Sequence, residues 1–246
     1  MVHDERGDAR RRSVRVVTYN VHHCRGLDGR TVPARIVEVL QSVDADVVAL
    51  QEVVGAGRRP SQAEHIGAAL GMGWVMAQTR TLRGAPFGNV VLSRFPVRNH
   101  LQYDLSWKTC EARNCQRVDL DVGSGTLHIY NVHLGTAFLE RRYQAEKLGA
   151  IVQDRRVAGP KVVLGDFNEW TRGLATQILT EKLESIDIRS HLRRRRTYPG
   201  ILPILHLDHI YYQGTVEVVG MALPRSRRAL IASDHLPLVA DLRVGL

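Results

Sequence analysis

The sequence predicts an α/β protein, and two observations support that prediction. From Val14 onward, short runs of β-branched residues alternate with segments whose apolar residues recur at helical spacing, and Gly, Pro and Asp separate them. Hydrophobic residues make up 44% of the 246 residues, which supports a large buried core and excludes disorder of the whole chain. No linker-like composition interrupts residues 14–246, so we expect one domain behind a disordered basic tail at residues 1–13.

The first half of the chain alternates predicted strands and helices. Val14 to Thr18 is an apolar, β-branched run and is predicted as a buried strand. A helix follows, because five apolar residues between Val32 and Val43 fall on one helical face. The remaining elements of this half are predicted as a strand at residues 47–50, a helix at 62–70, and strands near 74–78 and 89–93.

The second half is predicted to continue in the same manner. Two strands, 117–122 and 127–132, form a hairpin around Gly123-Ser124-Gly125. A long helix at 139–153 precedes the break Gly159-Pro160. The predicted elements after that break are a strand at 161–164, a helix at 174–183, and strands near 209–212, 216–222 and 236–242.

An internal echo links the two halves. The segment from Thr18 to His22 resembles the segment from Ile129 to His133, and each is followed by a predicted helix and a second strand that ends in an acid. Those acids are Glu52 and Asp166. The similarity is explained either by coincidence between two ordinary strand–helix–strand units or by two similar halves whose strands end at a shared site.

Charge and cysteine content narrow the classes of partner. The net charge of +9 and the pI of about 9.9 favour a polyanionic partner such as nucleic acid, an anionic membrane surface or a phosphorylated small molecule. The three cysteines show no paired spacing, which argues against a disulfide framework or a structural zinc site, although a bridge between Cys110 and Cys115 stays open. With no apolar run near the roughly 20 residues of a membrane span, we expect a cytoplasmic monomer.

Six apolar strands end in polar residues that bind metal or phosphate in other proteins. Carboxylate and carboxamide oxygens at such positions suit a hard cation, so Mg²⁺ or Mn²⁺ is the expected cofactor, and two histidines add proton transfer near neutral pH. These six segments are Tyr19-Asn20, Gln51-Glu52, Asn131-Val132-His133, Gly165-Asp166-Phe167-Asn168, Leu207-Asp208-His209 and Ser233-Asp234-His235. The set predicts metal-assisted phosphodiester hydrolysis, because an anionic substrate needs charge neutralisation and an activated water.

In order and residue type these segments resemble the endonuclease/exonuclease/phosphatase superfamily. That superfamily includes pancreatic-type deoxyribonuclease, abasic-site endonucleases, bacterial sphingomyelinases and inositol polyphosphate 5-phosphatases. The resemblance runs from about Val14 to Leu242, and its most specific parts are 165–168 and 233–237. It implies a four-layer α/β/β/α sandwich, with two mixed β-sheets packed face to face and helices outside.

The resemblance also implies a role for each site residue. Asn20, Glu52 and Asp234 resemble the metal ligands, and Asp166 resembles the acid that activates a metal-positioned water. Asn168 would hold a phosphate oxygen, and His235, oriented by Asp208, would contact the scissile phosphate. His133 resembles the histidine on the leaving-group side. Weaker assignments place Asn89 and Arg113 at the substrate, against the alternatives of a turn asparagine and a surface ion pair. Of His22 and His23, one is expected to line the pocket, and the pair is not expected to form a second metal site.

Three hypotheses for function follow. A nuclease is preferred, since the basic balance would contact phosphates along a strand. A phosphodiesterase or phosphatase acting on lipid head groups or small phosphoesters is the alternative, and it would be favoured by exposure of the apolar run at 201–205. The third is a binding module that kept the fold and lost the chemistry, which the complete set of acids and histidines argues against.

Overall fold

The computed structural model describes residues 11–58, 60–123, 125–169, 173–185, 196–200, 202 and 204–246. Within these residues the strands are β1 (Arg11–Asn20), β2 (Val47–Val54), β3 (Gly73–Leu82), β4 (Ala85–Ser93), β5 (Val97–Asp104), β6 (Asn114–Asp121), β7 (Thr126–His133), β8 (Lys161–Asp166), β9 (Glu184–Ser185), β10 (Asp208–Gln213), β11 (Val216–Ala222) and β12 (Leu238–Gly245). The helices are α1 (Pro33–Val43), α2 (Gln62–Leu70), α3 (Phe138–Val152), α4 (Leu174–Lys182) and α5 (Arg227–Ala232), and a short 3-10 helix spans His22–Cys24.

The strands form two mixed sheets. The first sheet has the order β11-β12-β1-β2-β4-β3, and the second has the order β5-β6-β7-β8-β10-β9. In each sheet the two central strands run parallel, β1 with β2 and β7 with β8, whereas the other pairs are antiparallel. The two similar segments therefore begin two parallel strand–helix–strand units, β1-α1-β2 and β7-α3-β8, one in each sheet.

Alternating strand faces divide the apolar residues into three layers. Side chains such as Val16, Val47, Ile129 and Val162 point between the sheets and form a central core. Residues on the outer face of the first sheet pack against α1, α2 and α5, and those on the outer face of the second pack against α3 and α4. The predicted four-layer α/β/β/α sandwich is confirmed.

A buried polar link crosses the central core. The Asn131 side chain on β7 donates to the carbonyl oxygens of Leu50 and Val90, both at 3.0 Å, and accepts from Gln51 Nε2 at 2.8 Å. Because a buried amide without partners costs free energy, these bonds fix one registration between the sheets. Gln51 immediately precedes Glu52, so the link lies directly beneath the ends of β2 and β7.

The structure differs from the sequence prediction in several places. Of the six segments predicted to end strands, only those of β1, β7 and β8 do so, whereas Glu52 lies within β2, Asp208 begins β10 and residues 233–235 precede β12. Residues 11–13, predicted as part of a disordered tail, pair with β12 instead, and residues 1–10 lie outside the described residues. β5 and α5 were not predicted; β5 is an edge strand whose residues are largely exposed, so it lacks an alternating apolar pattern. The organisation of residues 14–246 as one domain stays a prediction.

Two further features bear on the expectations from composition. Cys24, Cys110 and Cys115 are all free. Among the described helices, none combines the length and the apolar character that crossing a bilayer requires.

Candidate active site at the ends of six strands

Register alone brings three predicted site residues together in the second sheet. His133 at the end of β7 is paired with Asp166 at the end of β8, and Asp166 is paired with Asp208 at the start of β10. Gly165 permits this close pairing, because a Cβ at that position would collide with the Val132 carbonyl oxygen of β7. Asp166 therefore lies between a histidine and a second carboxylate.

The first sheet contributes the facing half of the site. β1 ends at Asn20, opposite Gln51 of β2, and a register shift after Leu50 turns Glu52 out of the ladder with a φ of 60°. The loop before β12 is held against β1 because Ser233 Oγ donates to the Asn20 carbonyl at 2.8 Å. This bond brings the following two residues, 234 and 235, to the same edge.

Asp166 is the centre of the assembled site and is 1% exposed. One carboxylate oxygen, Oδ2, accepts from Asn20 Nδ2 at 3.0 Å and lies 3.6 Å from Nε2 of both His133 and His235. The other, Oδ1, accepts from the Asn168 backbone N–H at 2.8 Å. Burial, together with the nearby acid of β10, raises the pKa of Asp166 to about 6 against the opposing effect of His235.

His235 and Asp208 form a buried pair beside Asp166. His235 Nδ1 lies 3.0 Å from Asp208 Oδ2, and both side chains are almost wholly buried. Burial alone would lower the pKa of the imidazole, but the two carboxylates Asp208 and Asp166 outweigh it and raise the pKa of His235 to about 10. The ring of Tyr198 packs on His235 with centroids 4.9 Å apart, which fixes the imidazole plane.

His133 occupies a different electrostatic environment on the opposite side of Asp166. Arg113 Nη1 lies 3.3 Å from His133 Nδ1, and the same guanidinium pairs with Glu111 at 3.0 Å. Burial, supported by the Arg113 charge, holds the pKa of His133 well below its usual value. The two histidines that face Asp166 thus differ in the direction of their pKa shift, which is raised for His235 and lowered for His133.

The outer edge of the site is rich in potential metal ligands. Glu52 and Asp234 are partly exposed, and each faces an imidazole: His23 Nε2 lies 3.2 Å from Glu52 Oε2, and His22 Nδ1 lies 3.6 Å from Asp234 Oδ1. Burial lowers the pKa of His23. Asn20 Nδ2 donates to both Glu52 and Asp166, so the Asn20 side chain positions two carboxylates. Direct binding of a metal ion by Asn20 stays a prediction.

These groups line an open pocket of about 390 Å³. Besides the acids and histidines, cationic and aromatic residues line the pocket. Among them, the Arg80 guanidinium stacks over Phe87 and pairs with Glu111. The lining residues are Asn20, His23, Glu52, Arg80, Phe87, Glu111, Arg113, His133, Thr136, Asp166, Asn168, Tyr198, Leu207, Asp234 and His235.

Eight of the ten predicted site residues line this pocket, and two do not. Asp208 lies behind His235, whose Nδ1 is 3.0 Å from its carboxylate. Asn89, predicted to contact substrate, is instead buried and donates to Asn114 Oδ1 at 3.1 Å, where it joins β4 to β6 between the sheets. Arg80 and Glu111 were not predicted, because no motif surrounds them.

Two comparisons with known sequences identify relatives of this chain. The sequence profile of the Endonuclease/Exonuclease/phosphatase family matches residues 17–235. The uncharacterized protein YbhP of Escherichia coli strain K12 is 30% identical over 248 residues, covering 94% of this chain and 97% of YbhP.

Solved structures share the fold. A family protein from Bacteroides thetaiotaomicron superposes with a TM-score of 0.78 at 18% identity, covering 95% of each chain. The human Nocturnin catalytic domain superposes with a TM-score of 0.73 at 19% identity, covering 94% of this chain and 93% of that domain. The profile match and the relationship to YbhP establish that this chain belongs to the Endonuclease/Exonuclease/phosphatase family.

Proposed function

We propose that this chain is a divalent-metal-dependent phosphoesterase that uses water to hydrolyse phosphodiester bonds, and that nucleic acid is its substrate. The observation that supports the chemistry is the position of Asp166. This buried carboxylate lies 3.6 Å from two imidazoles of opposite character and opens onto the pocket. A single acid held in this way is suited to take a proton from an attacking water.

His235 and Asp208 supply a fixed donor for the phosphate. Asp208 holds Nδ1, so Nε2 of His235 is directed into the pocket, where it donates to a non-bridging phosphate oxygen. His133 lies across Asp166 and is backed by Arg113, so it is placed for the leaving-group side. The partly engaged Asn168 amide, whose Nδ2 donates to Leu134 O at 2.9 Å, has a second hydrogen available for phosphate.

The donor set at the outer edge fits a divalent cation. Within the described residues neither Glu52 nor Asp234 forms an ion pair with a lysine or arginine, so these partly exposed carboxylates have no neutralising partner of fixed charge. Glu52 and Asp234 would hold such a cation, which would supply positive charge to a phosphate oxygen of the substrate. Mg²⁺ or Mn²⁺ is the proposed cofactor.

Hydrolysis of bis-p-nitrophenyl phosphate tests the chemistry. We expect metal-dependent turnover by the parent protein and a fall in kcat of at least about 100-fold in Asp166→Asn, the range for loss of a general base. Asp44→Asn is the matched control, because Asp44 is an exposed acid at the end of α1 and outside the pocket. No metal-dependent turnover by the parent would support a binding module instead, whereas equal turnover by the parent and Asp166→Asn would refute the role given to Asp166.

Nucleic acid is supported as substrate by the charge of the chain and of the pocket wall. The net charge is +9, and Arg80 and Arg113 line the pocket. Arginines placed in this way contact backbone phosphates on either side of the cleaved bond. Tyr198, whose ring lines the same pocket, offers a face for base stacking.

A specific observation favours a second candidate, a phosphoester presented at an anionic membrane surface. Leu202 is 72% exposed and Ile204 is 56% exposed, in the loop that follows Tyr198 of the pocket. Phe138 is also exposed, two residues after Thr136 of the pocket. Exposed apolar side chains beside a phosphoester site on a basic protein suit an interface with anionic lipid.

One comparison separates the two substrates. The parent protein is assayed on supercoiled plasmid, single-stranded oligonucleotide, abasic duplex and vesicles of anionic phospholipid. Nicking or cleavage that disappears in Asp166→Asn supports the nuclease, whereas release of head groups alone refutes it. For the second candidate, the double variant Leu202→Ser and Ile204→Ser is expected to weaken vesicle binding while turnover of bis-p-nitrophenyl phosphate is retained.

A further inference from the structure

The backbone at the outer edge of the pocket is strained in a concentrated way. His22, His23 and Cys24 are consecutive and have φ values of 45°, 55° and 56°, and Glu52 beside them has a φ of 60°. Non-glycine residues rarely adopt this left-handed conformation, at a cost of about 1–3 kcal/mol each. Because three such residues occur in a row beside a fourth, we expect their side chains to have a function that requires this backbone conformation.

The strained turn brings two imidazoles close to the Glu52 carboxylate. The ligand atoms of His22, His23 and Glu52 all lie within 4.8 Å of one another. Nitrogen and oxygen ligands about 2.0–2.2 Å from a divalent ion are roughly 3–4 Å apart, so only a small closure separates this arrangement from coordination geometry. Three ligands at a solvent-accessible edge leave further coordination positions for water or substrate.

The protein itself does not account for the imidazole of His23. Its Nδ1 is buried and has no hydrogen-bond partner among the residues that the structure describes, whereas Nε2 faces Glu52. The ring is held in place by Phe87, with centroids 5.2 Å apart, and by His22, with centroids 5.1 Å apart. A ring fixed by packing, with one nitrogen aimed at a carboxylate, is preorganised as a ligand.

We propose that His22, His23 and Glu52 together bind a divalent transition-metal ion, of the Mn²⁺ or Zn²⁺ class, in preference to Mg²⁺. Imidazole nitrogen suits zinc and its neighbours, whereas Mg²⁺ requires oxygen ligands in near-octahedral geometry. Asp234, 3.6 Å from His22, is placed to orient that imidazole or to complete the ligand set. The inference rests on the proposed function only in sharing Glu52, and it replaces the expectation that His22 and His23 form no metal site.

Metal binding by the full chain, stripped with chelator, tests the proposal without recourse to turnover. Calorimetric titration with Zn²⁺, Mn²⁺ and Mg²⁺ is compared among the parent, His22→Asn, His23→Asn and His65→Asn. Asparagine tolerates the left-handed backbone, so the first two variants remove a ligand without adding strain. His65, exposed on α2 and away from the pocket, is the matched control.

We expect the parent and His65→Asn to bind Zn²⁺ or Mn²⁺ more tightly than Mg²⁺. His22→Asn and His23→Asn should each lose at least about tenfold in Zn²⁺ affinity, with little change for Mg²⁺. Electronic absorption of bound Co²⁺ should shift in both variants, as expected when a nitrogen ligand is lost. Glycine at the same positions, which accepts positive φ, is a second pair of variants that should show the same loss in a folded protein.

Failure of this inference is distinguishable from failure of the proposed function. Unchanged Zn²⁺ affinity and an unchanged Co²⁺ spectrum in both histidine variants would overturn the inference, even if bis-p-nitrophenyl phosphate is hydrolysed with Mg²⁺. Histidine-dependent binding of Zn²⁺ or Mn²⁺ in a protein without any turnover would uphold the inference and refute the phosphoesterase.

Discussion

Removal of the Asn131 side chain should weaken the joint between the two sheets. In the parent, this amide donates to Leu50 O and Val90 O at 3.0 Å and to Gln116 Oε1 at 3.3 Å, and it accepts from Gln51 Nε2 at 2.8 Å. Asn131→Ala deletes all four bonds at a fully buried position. Backbone carbonyls of paired strands can keep a second partner, so the four losses are unequal.

The magnitude follows from which groups lose their last partner. Gln51 Nε2 keeps Thr18 Oγ1 at 3.1 Å and the Ala49 carbonyl at 3.3 Å, so it loses little. Gln116 Oε1 is left without this donor in a buried site, which costs about 1–3 kcal/mol. The two strand carbonyls add about 1 kcal/mol each. The sum is about 4 kcal/mol, or a fall in Tm of roughly 8–16 °C for a chain of this size.

Urea unfolding followed by circular dichroism measures this change. Asn99→Ala is the control, because Asn99 is an exposed residue of the edge strand β5, and its loss should change the free energy of unfolding by no more than about 0.5 kcal/mol. If Asn131→Ala unfolds within that same margin of the parent, the amide does not join the sheets energetically, and the role assigned to it here is refuted.

Three other changes test separate parts of the structure. Asp208→Asn should lower kcat by about 100-fold or more with little change in KM, because the carboxylate orients His235 without touching substrate; an equal rise in KM would contradict this. Burial opposes ionisation of Asp119, but hydrogen bonds from His128 and a neighbouring arginine lower the pKa of this carboxyl group. The ionised Asp119 therefore stabilises the fold above the unfolded pKa of about 3.9, and this stabilisation is lost as pH falls through the lower folded pKa. Asp119→Asn should therefore cost about 3 kcal/mol at pH 7, in unfolding titrations at several pH values, and the difference from the parent should narrow below about pH 4. Gly165→Ala should reduce both the Tm and turnover, since its Cβ would meet a carbonyl oxygen of β7; normal turnover would show that β8 can move away.

The strand ends are the part of the site that the sequence could predict. An apolar run that stops at Asp, Asn, Glu or His is visible in one dimension, and parallel central strands bring such ends to one edge. Asp166 and His133 illustrate this, because their pairing in adjacent strands follows once the order of β7 and β8 is known. The echo between residues 18–22 and 129–133 gave the same information for both sheets.

The pocket wall could not be predicted in this way. Arg80 lies near the end of β3, and Glu111 lies in the loop before β6, so their ion pair depends on how two sheets meet. Asn89 shows the opposite error: its position before an apolar run suggested a site residue, yet its side chain lies between the sheets. β5 escaped prediction because an exposed edge strand needs no apolar face.

The division of the site between two sheets explains why a buried polar link lies directly beneath it. Glu52 belongs to the first sheet and Asp166 to the second, and the Asn20 amide spans them at 3.2 Å and 3.0 Å. Gln51 precedes Glu52 by one residue, and Asn131 lies two residues before the end of β7. The hydrogen bond between Gln51 and Asn131 therefore fixes how the two sheets align beneath the site. A small slip between the sheets would separate Glu52 from Asp166, while most of the apolar core stayed buried. Loss of turnover should therefore precede unfolding as denaturant rises, and it should do so at lower denaturant in Asn131→Ala.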